Sequence, residues 1–222
     1  MALAVVIIDV QASVRYPDLT PELRRLAQSL QAEVPGSMFQ IAWGDEVEGV
    51  LPYPADIWDL YLHVRSVLGE LGFYMGVGIG EISQVASAIA GQSVHELNGT
   101  AFKSAREAVG AAKSATGAAV ALEIEVAGEP ELSAALQAYP HMINVAARSM
   151  TRTQRAYFTD LILGYRQSEI ARRHGVRQPT VSLALHRAGA DQLAAMQDGL
   201  RALLAFVASY THWGAEDREA RR

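Results

Sequence analysis

Between Thr151 and Gly189 the chain reads TRTQRAYFTDLILGYRQSEIARRHGVRQPTVSLALHRAG, and this stretch leaves few folds open. Thr151 suits the N-cap of a helix reaching about Leu163, with Tyr157, Phe158, Leu161 and Ile162 on its buried side, and Gly164 stops it. A short helix then runs from about Gln167 to His174. Gly175 turns the chain, and Arg177-Gln178-Pro179-Thr180 opens another helix, where the missing N–H of Pro179 costs nothing. Ala171 is small where two helices must cross, and Ile170, Val176, Val181 and Leu185 supply the apolar seam between them. The spacing predicts a helix-turn-helix.

The charge distribution suggests what such a unit would meet. Residues 1–147 carry 7 basic and 17 acidic side chains, a net of −10, whereas residues 148–222 carry 12 arginines against 7 acids, a net of +5. Over 148–190 the basic residues are all arginine: Arg148, Arg152, Arg155, Arg166, Arg172, Arg173, Arg177 and Arg187. A basic half on an acidic chain points to a polyanion, and arginine suits bidentate contacts to phosphate or guanine. The expected partner is double-stranded DNA. Arg177, Gln178, Thr180 and Ser182 are expected to face the major groove, with Arg187 further along, since arginine and glutamine can read guanine and adenine edges. Arg166, Ser168, Arg172 and Arg173 are expected to meet phosphates. His174 and His186 read as surface positions. The segment resembles the helix-turn-helix of sigma-factor region 4 and related bacterial regulators over about 35 residues.

The N-terminal part reads as alternating strands and helices. LAVVIIDV, residues 3–10, is a buried-type strand ending in Asp9. Thr20 and Pro21 open a helix to about residue 33, and Pro35-Gly36 breaks the chain. FQIAW and VEGVL flank Gly44-Asp45 as a hairpin. A helix is expected from about Ala55 to Leu71, a strand over FYMGVGIGEI (73–82), a helix over Gly99–Gly110 and a strand over AAVALEIEV. The order β-α-β-β-α-β-α-β implies a split βαβ, ferredoxin-like antiparallel sheet with helices on one face. GVGIG is not a dinucleotide fingerprint, because Ser83 stands where the third glycine would be; the glycines thin a strand so that a ligand or another backbone can come close.

VVIIDV, IAWGDEVEGVL, MGVGIGEI and NGTAFKSAREAV, in that order, resemble the SatD family, and beyond it the class III nucleotidyl cyclase and GGDEF palm, over roughly residues 3–125. The resemblance implies a Mg²⁺ site built from Asp9 and Asp45, with the Val10 carbonyl as a further ligand, and nucleotide contacts from Gly44 and Arg106. Hard carboxylate oxygens on neighbouring strands suit Mg²⁺. Two positions depart from the catalytic pattern. Phe102 occupies the place of the cyclase asparagine, and no lysine precedes Gly44, where Ala42 and Trp43 stand. The residues alone also allow a plainer reading, in which Asp45 serves the hairpin turn and Asp9 a strand end.

Residues 127–149 read as a helical connector with a break at Pro140. Residues 190–210 form an amphipathic helix with Leu193, Met196, Leu200, Leu203, Leu204 and Val207 in one stripe. That stripe is either the lid on the small domain or a homodimer contact, with dimerisation favoured because one helix-turn-helix rarely supplies enough specificity. The tail AEDREARR is polar. The chain has no cysteine, which removes disulfides and thiolate metal sites. MALAVVIIDV reads as a strand, not a signal peptide, and no apolar run approaches a membrane span, so a cytoplasmic protein is expected.

These readings give an α+β protein: a ferredoxin-like, nucleotidyl cyclase-like sheet domain over 1–126, a connector over 127–149, and an all-α DNA-binding domain over 150–222. The expected function is a DNA-binding transcriptional regulator whose N-terminal domain senses a ligand, such as a nucleotide, or assembles protomers. The alternative is an active nucleotidyl cyclase or nucleotidyltransferase with a DNA-binding appendage.

Overall fold

A computed structural model describes residues 3–11, 18–42, 44–52, 57–69, 71–83, 93–115 and 120–210. Its centre is β1 (Leu3–Val10), eight residues with every side chain buried. The other strands are β2 (Met38–Ile41), β3 (Glu46–Leu51), β4 (Phe73–Gly80) and β5 (Leu122–Val126), and the sheet order is β2-β3-β1-β4-β5. β1 pairs antiparallel with both β3 and β4, and β2 pairs antiparallel with β3. β5 runs parallel to β4. The protein is therefore α+β with a mixed five-stranded sheet, not the all-antiparallel sheet expected from the element order. A parallel neighbour needs a crossover, and the helix between β4 and β5 supplies one.

Both faces of the sheet are covered, which corrects the expectation of helices on one face. Ala4, Val6, Ile8 and Val10 share a core with Leu23, Leu26 and Leu30 of α1 (Thr20–Glu33) and with Trp58, Tyr61 and Val64 of α2 (Ile57–Leu68). The alternate positions Leu3, Val5 and Ile7 pack with Ala101, Ala105 and Val109 of α3 (Thr100–Ser114) on the other face. Period-two alternation with two apolar faces is what a strand buried on both sides requires.

The glycines of MGVGIG explain how α3 lies so close. A Cβ on Gly76 would stand 2.6 Å from the Ala105 carbonyl oxygen, and one on Gly78 would collide with the Ala101 carbonyl and the Ala105 nitrogen. The sheet is thinned at Gly76 and Gly78 to admit another backbone, the second of the two possibilities raised by that run. Small residues on the facing side, Ala101, Ala105 and Ala108, complete the approach.

Tyr61 is nearly fully buried, and burial pushes its hydroxyl from 10.0 up to about 12, against smaller opposing effects of Arg65 and a backbone hydrogen bond with Ala121. The folded pKa is raised, so this contribution to stability is complete below pH 10 and is lost as pH rises through 12. Denaturation titrations across that window are expected to show a fall of about 2–3 kcal/mol that is missing in Tyr61→Phe.

Helix α4 (Pro130–Ser149) runs unbroken through Pro140, contrary to the break expected there. Proline removes one N–H bond, and side-chain anchors on both sides of it hold the helix against β5 and its approach. Gln137 donates to the Ile124 carbonyl at 3.2 Å, and Asn144 makes two backbone bonds with Val120, at 2.7 and 2.8 Å. Beyond α4 come α5 (Arg152–Ile162), α6 (Gln167–Arg173), α7 (Gln178–Arg187) and α8 (Ala190–Tyr210). Thr151 and Gln154 cap α5 reciprocally.

The stripe on α8 is turned inward and packs on the core of its own protomer, as a lid does. Leu200, Leu204 and Val207 are fully buried, Met196 and Leu203 pack against the same core, and the Leu193 side chain lies outside the described residues. A Cβ on Gly199 would meet the Tyr139 ring of α4 at 2.7 Å, and Arg201 donates to Asp59 of α2 at 2.8 Å. The tail AEDREARR also lies outside the described residues.

Candidate functional site

The arginine-rich helices present a surface whose inner side is apolar and whose outer side is polar. Ile170 and Ala171 of α6 and Val181 and Leu185 of α7 are buried between the helices. Gly175, at φ +64°, turns the chain from one to the other, a conformation glycine adopts without strain. Val176, expected in this seam, is instead 37 % exposed, because the turn carries it outward. Arg177, Gln178 and Thr180 are exposed at the start of α7, and Arg187 is exposed two turns later. Ser182 is half-buried on the flank of the helix, and the centre of the outward face belongs to Leu183, 50 % exposed. Leu183 and Val176 are apolar groups that a polar-residue search passes over.

The residues expected at phosphates divide in two. Arg166 and Ser168 are exposed, and the Arg166 N–H donates to the Glu169 carboxylate at 2.7 Å, closing the first turn of α6. Arg172 is exposed with a loose 4.0 Å pair to Glu169, which is weak in solvent. Arg173 is committed to the fold: it lies 3.4 Å from the buried Asp160 of α5 and 4.4 Å over the Tyr165 ring. His174 holds the same Asp160 oxygen at 2.8 Å and packs edge-on against Tyr157. Gln178 donates to Gln167 at 2.8 Å, tying the first turns of α6 and α7 together. Arg177 and Arg187 have no ion pair or side-chain hydrogen bond among the described residues.

The second cluster lies at one end of the sheet. Asp9 of β1 faces Glu46 of β3, and the Val10 N–H donates to the Asp45 carbonyl at 3.3 Å. Gly44 turns the hairpin at φ +62° with nothing within 4 Å of a Cβ there. Asp9, Asp45 and Glu46 thus come together as the strand register requires. Helix α3 delivers two cations to them. Lys113 Nζ stands 2.6 Å from Asp9 and 3.7 Å from Glu46, and Arg106 bonds Glu46 at 2.7 Å and Glu48 at 3.5 Å. Arg106, expected to meet a nucleotide, is held by these two acids. Phe102 is half-buried and packs against the core between α3 and the sheet.

Burial raises the pKa of Asp9, against the hydrogen bond and charge of Lys113, with the charges of Asp45 and Glu46 adding to the rise. Burial likewise raises Glu48, against Arg106 and His95. Lys113 is raised in spite of partial burial, because the hydrogen bond to Asp9 and the surrounding acids hold its proton. Hard oxygens suit Mg²⁺, but the Asp9 oxygen is already satisfied by an ammonium and the Glu46 oxygens by an ammonium and a guanidinium. No group of three metal-ligating side chains is present among the described residues. As arranged, these residues fit an internal cation and not a metal. Thermal melts with millimolar Mg²⁺ are expected to leave the natural protein unchanged and to stabilise Lys113→Gln, where Asp9 loses its counter-ion and Glu46 one of its two. A Mg²⁺ response in the natural protein would show that Lys113 does not hold the site.

No protein-family model matches the chain, and no curated protein is significantly similar to it.

Proposed function

We propose that the protein is a sequence-specific DNA-binding transcriptional regulator, with α6 and α7 as a sigma region 4-like helix-turn-helix and α7 as its reading helix. The observation that carries this reading is the outward face of α7. Arg177, Gln178, Thr180, Leu183 and Arg187 are all exposed, and its two arginines have no protein partner among the described residues. Cations left unpaired on a rigid helix, in the basic part of an acidic chain, suit the phosphates and base edges of double-stranded DNA. Leu183 suits contact with a thymine methyl group. Arg166, Ser168 and Arg172 are the phosphate contacts in this reading, and Arg173 positions α6 against Asp160.

The sheet domain supports a sensing or assembly role. Its β2-β3-β1-β4 order with antiparallel pairings supports a ferredoxin-like reading, in keeping with the SatD and cyclase-palm resemblance, with β5 as an addition on the outer edge. Phe102 and the Lys113–Asp9 pair argue against the cyclase alternative, since Phe102 offers no amide and the Asp9 carboxylate is engaged by an ammonium. A homodimer would need a surface other than the stripe of α8.

The test is DNA binding itself. After selection of bound sites from random duplexes, Arg177→Ala and Gln178→Ala are each expected to weaken the selected site by about 1–3 kcal/mol and to relax preference at one position. Unchanged affinity in both variants would remove α7 as the reading helix. An absence of any selected sequence would remove the regulator.

A further inference from the structure

We infer that the outward face of α4 is a homodimer interface, on which a second copy of this chain pairs antiparallel about a two-fold axis. The inner side of α4 buries Leu136, Pro140, Ile143 and Ala147. The outer side carries Ala134, Ala138, Met142 and Val145 at helical spacing, and all four are exposed. Met142 at 55 % and Val145 at 68 % are the two most exposed large apolar side chains among the described residues. Nothing among the described residues covers this side.

The face is complementary to its own reverse, in size and in charge. Its small residues, Ala134 and Ala138, lie toward the N-terminal end, and the larger Met142 and Val145 lie toward the C-terminal end. Glu131 stands in the first turn and Arg148 in the last, and neither has an ion pair or side-chain hydrogen bond among the described residues. Turning a second α4 end for end at the level of Tyr139 and Pro140 sets Ala134 against Val145, Ala138 against Met142 and Glu131 against Arg148. Each contact then occurs twice, as a self-complementary interface requires. Alanine opposite a larger side chain lets helix axes approach to about 8 Å. A parallel pairing would instead put each charge against its own copy, and like charges repel. His141, at the edge of the face, stays with Glu123 of its own β5 at 2.8 Å. The chain passes from α4 into α5, so the same axis relates two copies of α6 and α7, which suits the half-sites of a dyad-symmetric duplex. One helix face per protomer falls under about 1,200 Å² in total, at the weak end of specific interfaces, so a micromolar dimer is expected.

Sedimentation equilibrium of the full chain, without DNA, tests this. The natural protein is expected to pass from monomer to dimer as its concentration rises through the micromolar range. Val145→Glu is expected to weaken the dimer about tenfold or more, because it brings a charge into the apolar contact. Glu131→Arg and Arg148→Glu each set like charges opposite one another and are each expected to weaken the dimer about threefold to tenfold. An equimolar mixture of those two variants places opposite charges across the interface again and is expected to regain the association of the natural protein. All three positions are exposed, and thermal melts check that the variants fold. A chain that stays monomeric to millimolar concentration, a dimer unchanged by Val145→Glu, or a mixture no better than its components would overturn the interface. The assay contains no DNA, so its failure leaves the regulator reading standing, and a failure of DNA binding leaves the dimer standing.

Discussion

Gly78→Ala is expected to destabilise the protein by about 3 kcal/mol or more, at or beyond the upper end of the usual range for overpacking. The new methyl group would collide with the Ala101 carbonyl oxygen and the Ala105 nitrogen. These are backbone atoms of α3, and no rotamer change moves them aside. Relief requires the whole helix to lift from β4, which opens gaps around Val5, Ile7, Ala105 and Val109 in the core on that face. For a chain of this size the loss corresponds to a fall of roughly 6–12 °C in Tm. Gly110→Ala, on the exposed side of the same helix with nothing within 4 Å, is expected to stabilise by about 0.5–1 kcal/mol through helix propensity. Thermal melts of the two variants therefore move in opposite directions. Equal stability of Gly78→Ala and the natural protein would mean that α3 does not lie on Gly78.

Asp160→Ala is expected to cost about 2–3 kcal/mol within the α5–α7 unit and to weaken DNA binding without touching a DNA-facing residue. Asp160 is buried, and its carboxylate accepts from His174 and Arg173 at the end of α6. Removing it leaves both donors facing an apolar gap beside Tyr157, although both are partly exposed and water recovers part of the loss. The position of α6 then relaxes, and α7, joined to it by the Gln178–Gln167 bond and the turn at Gly175, follows. Asp160→Asn keeps an acceptor oxygen and is expected to lose about half as much. Hydrogen exchange in α6 and α7 measures the local loss, and titration with the selected duplex measures its effect on affinity. Unchanged exchange in Asp160→Ala would show that the carboxylate does not hold α6 in place.

The elements were legible where local chemistry decides them. Thr151 and Gln154 form the cap, Gly164 and Gly175 make the turns, and β1 spans the residues its apolar run marks out. Pro140 misled because proline argues locally for a break, while the bonds of Gln137 and Asn144 to the β5 region come from outside the helix. Val176 misled because it is one residue from the turn, where a small change in direction decides between seam and solvent. The stripe on α8 reads as a lid or a dimer contact, with dimerisation favoured. A periodicity states that a face is buried but not against what, and here α4 and α2 already cover it.

At Asp9 the same division is sharpest. Local pattern sufficed to put an acid at the end of a buried strand and another pair in the facing hairpin, because strand register is set by alternation and turn chemistry. Lys113 is 104 positions downstream of Asp9, and it reaches that carboxylate only because the glycines of β4 let α3 lie flat on the sheet. One-dimensional spacing determines which side chains share a face of one element. Which faces meet depends on how closely the backbones can approach, and that distance set an ammonium beside the acid that ends β1.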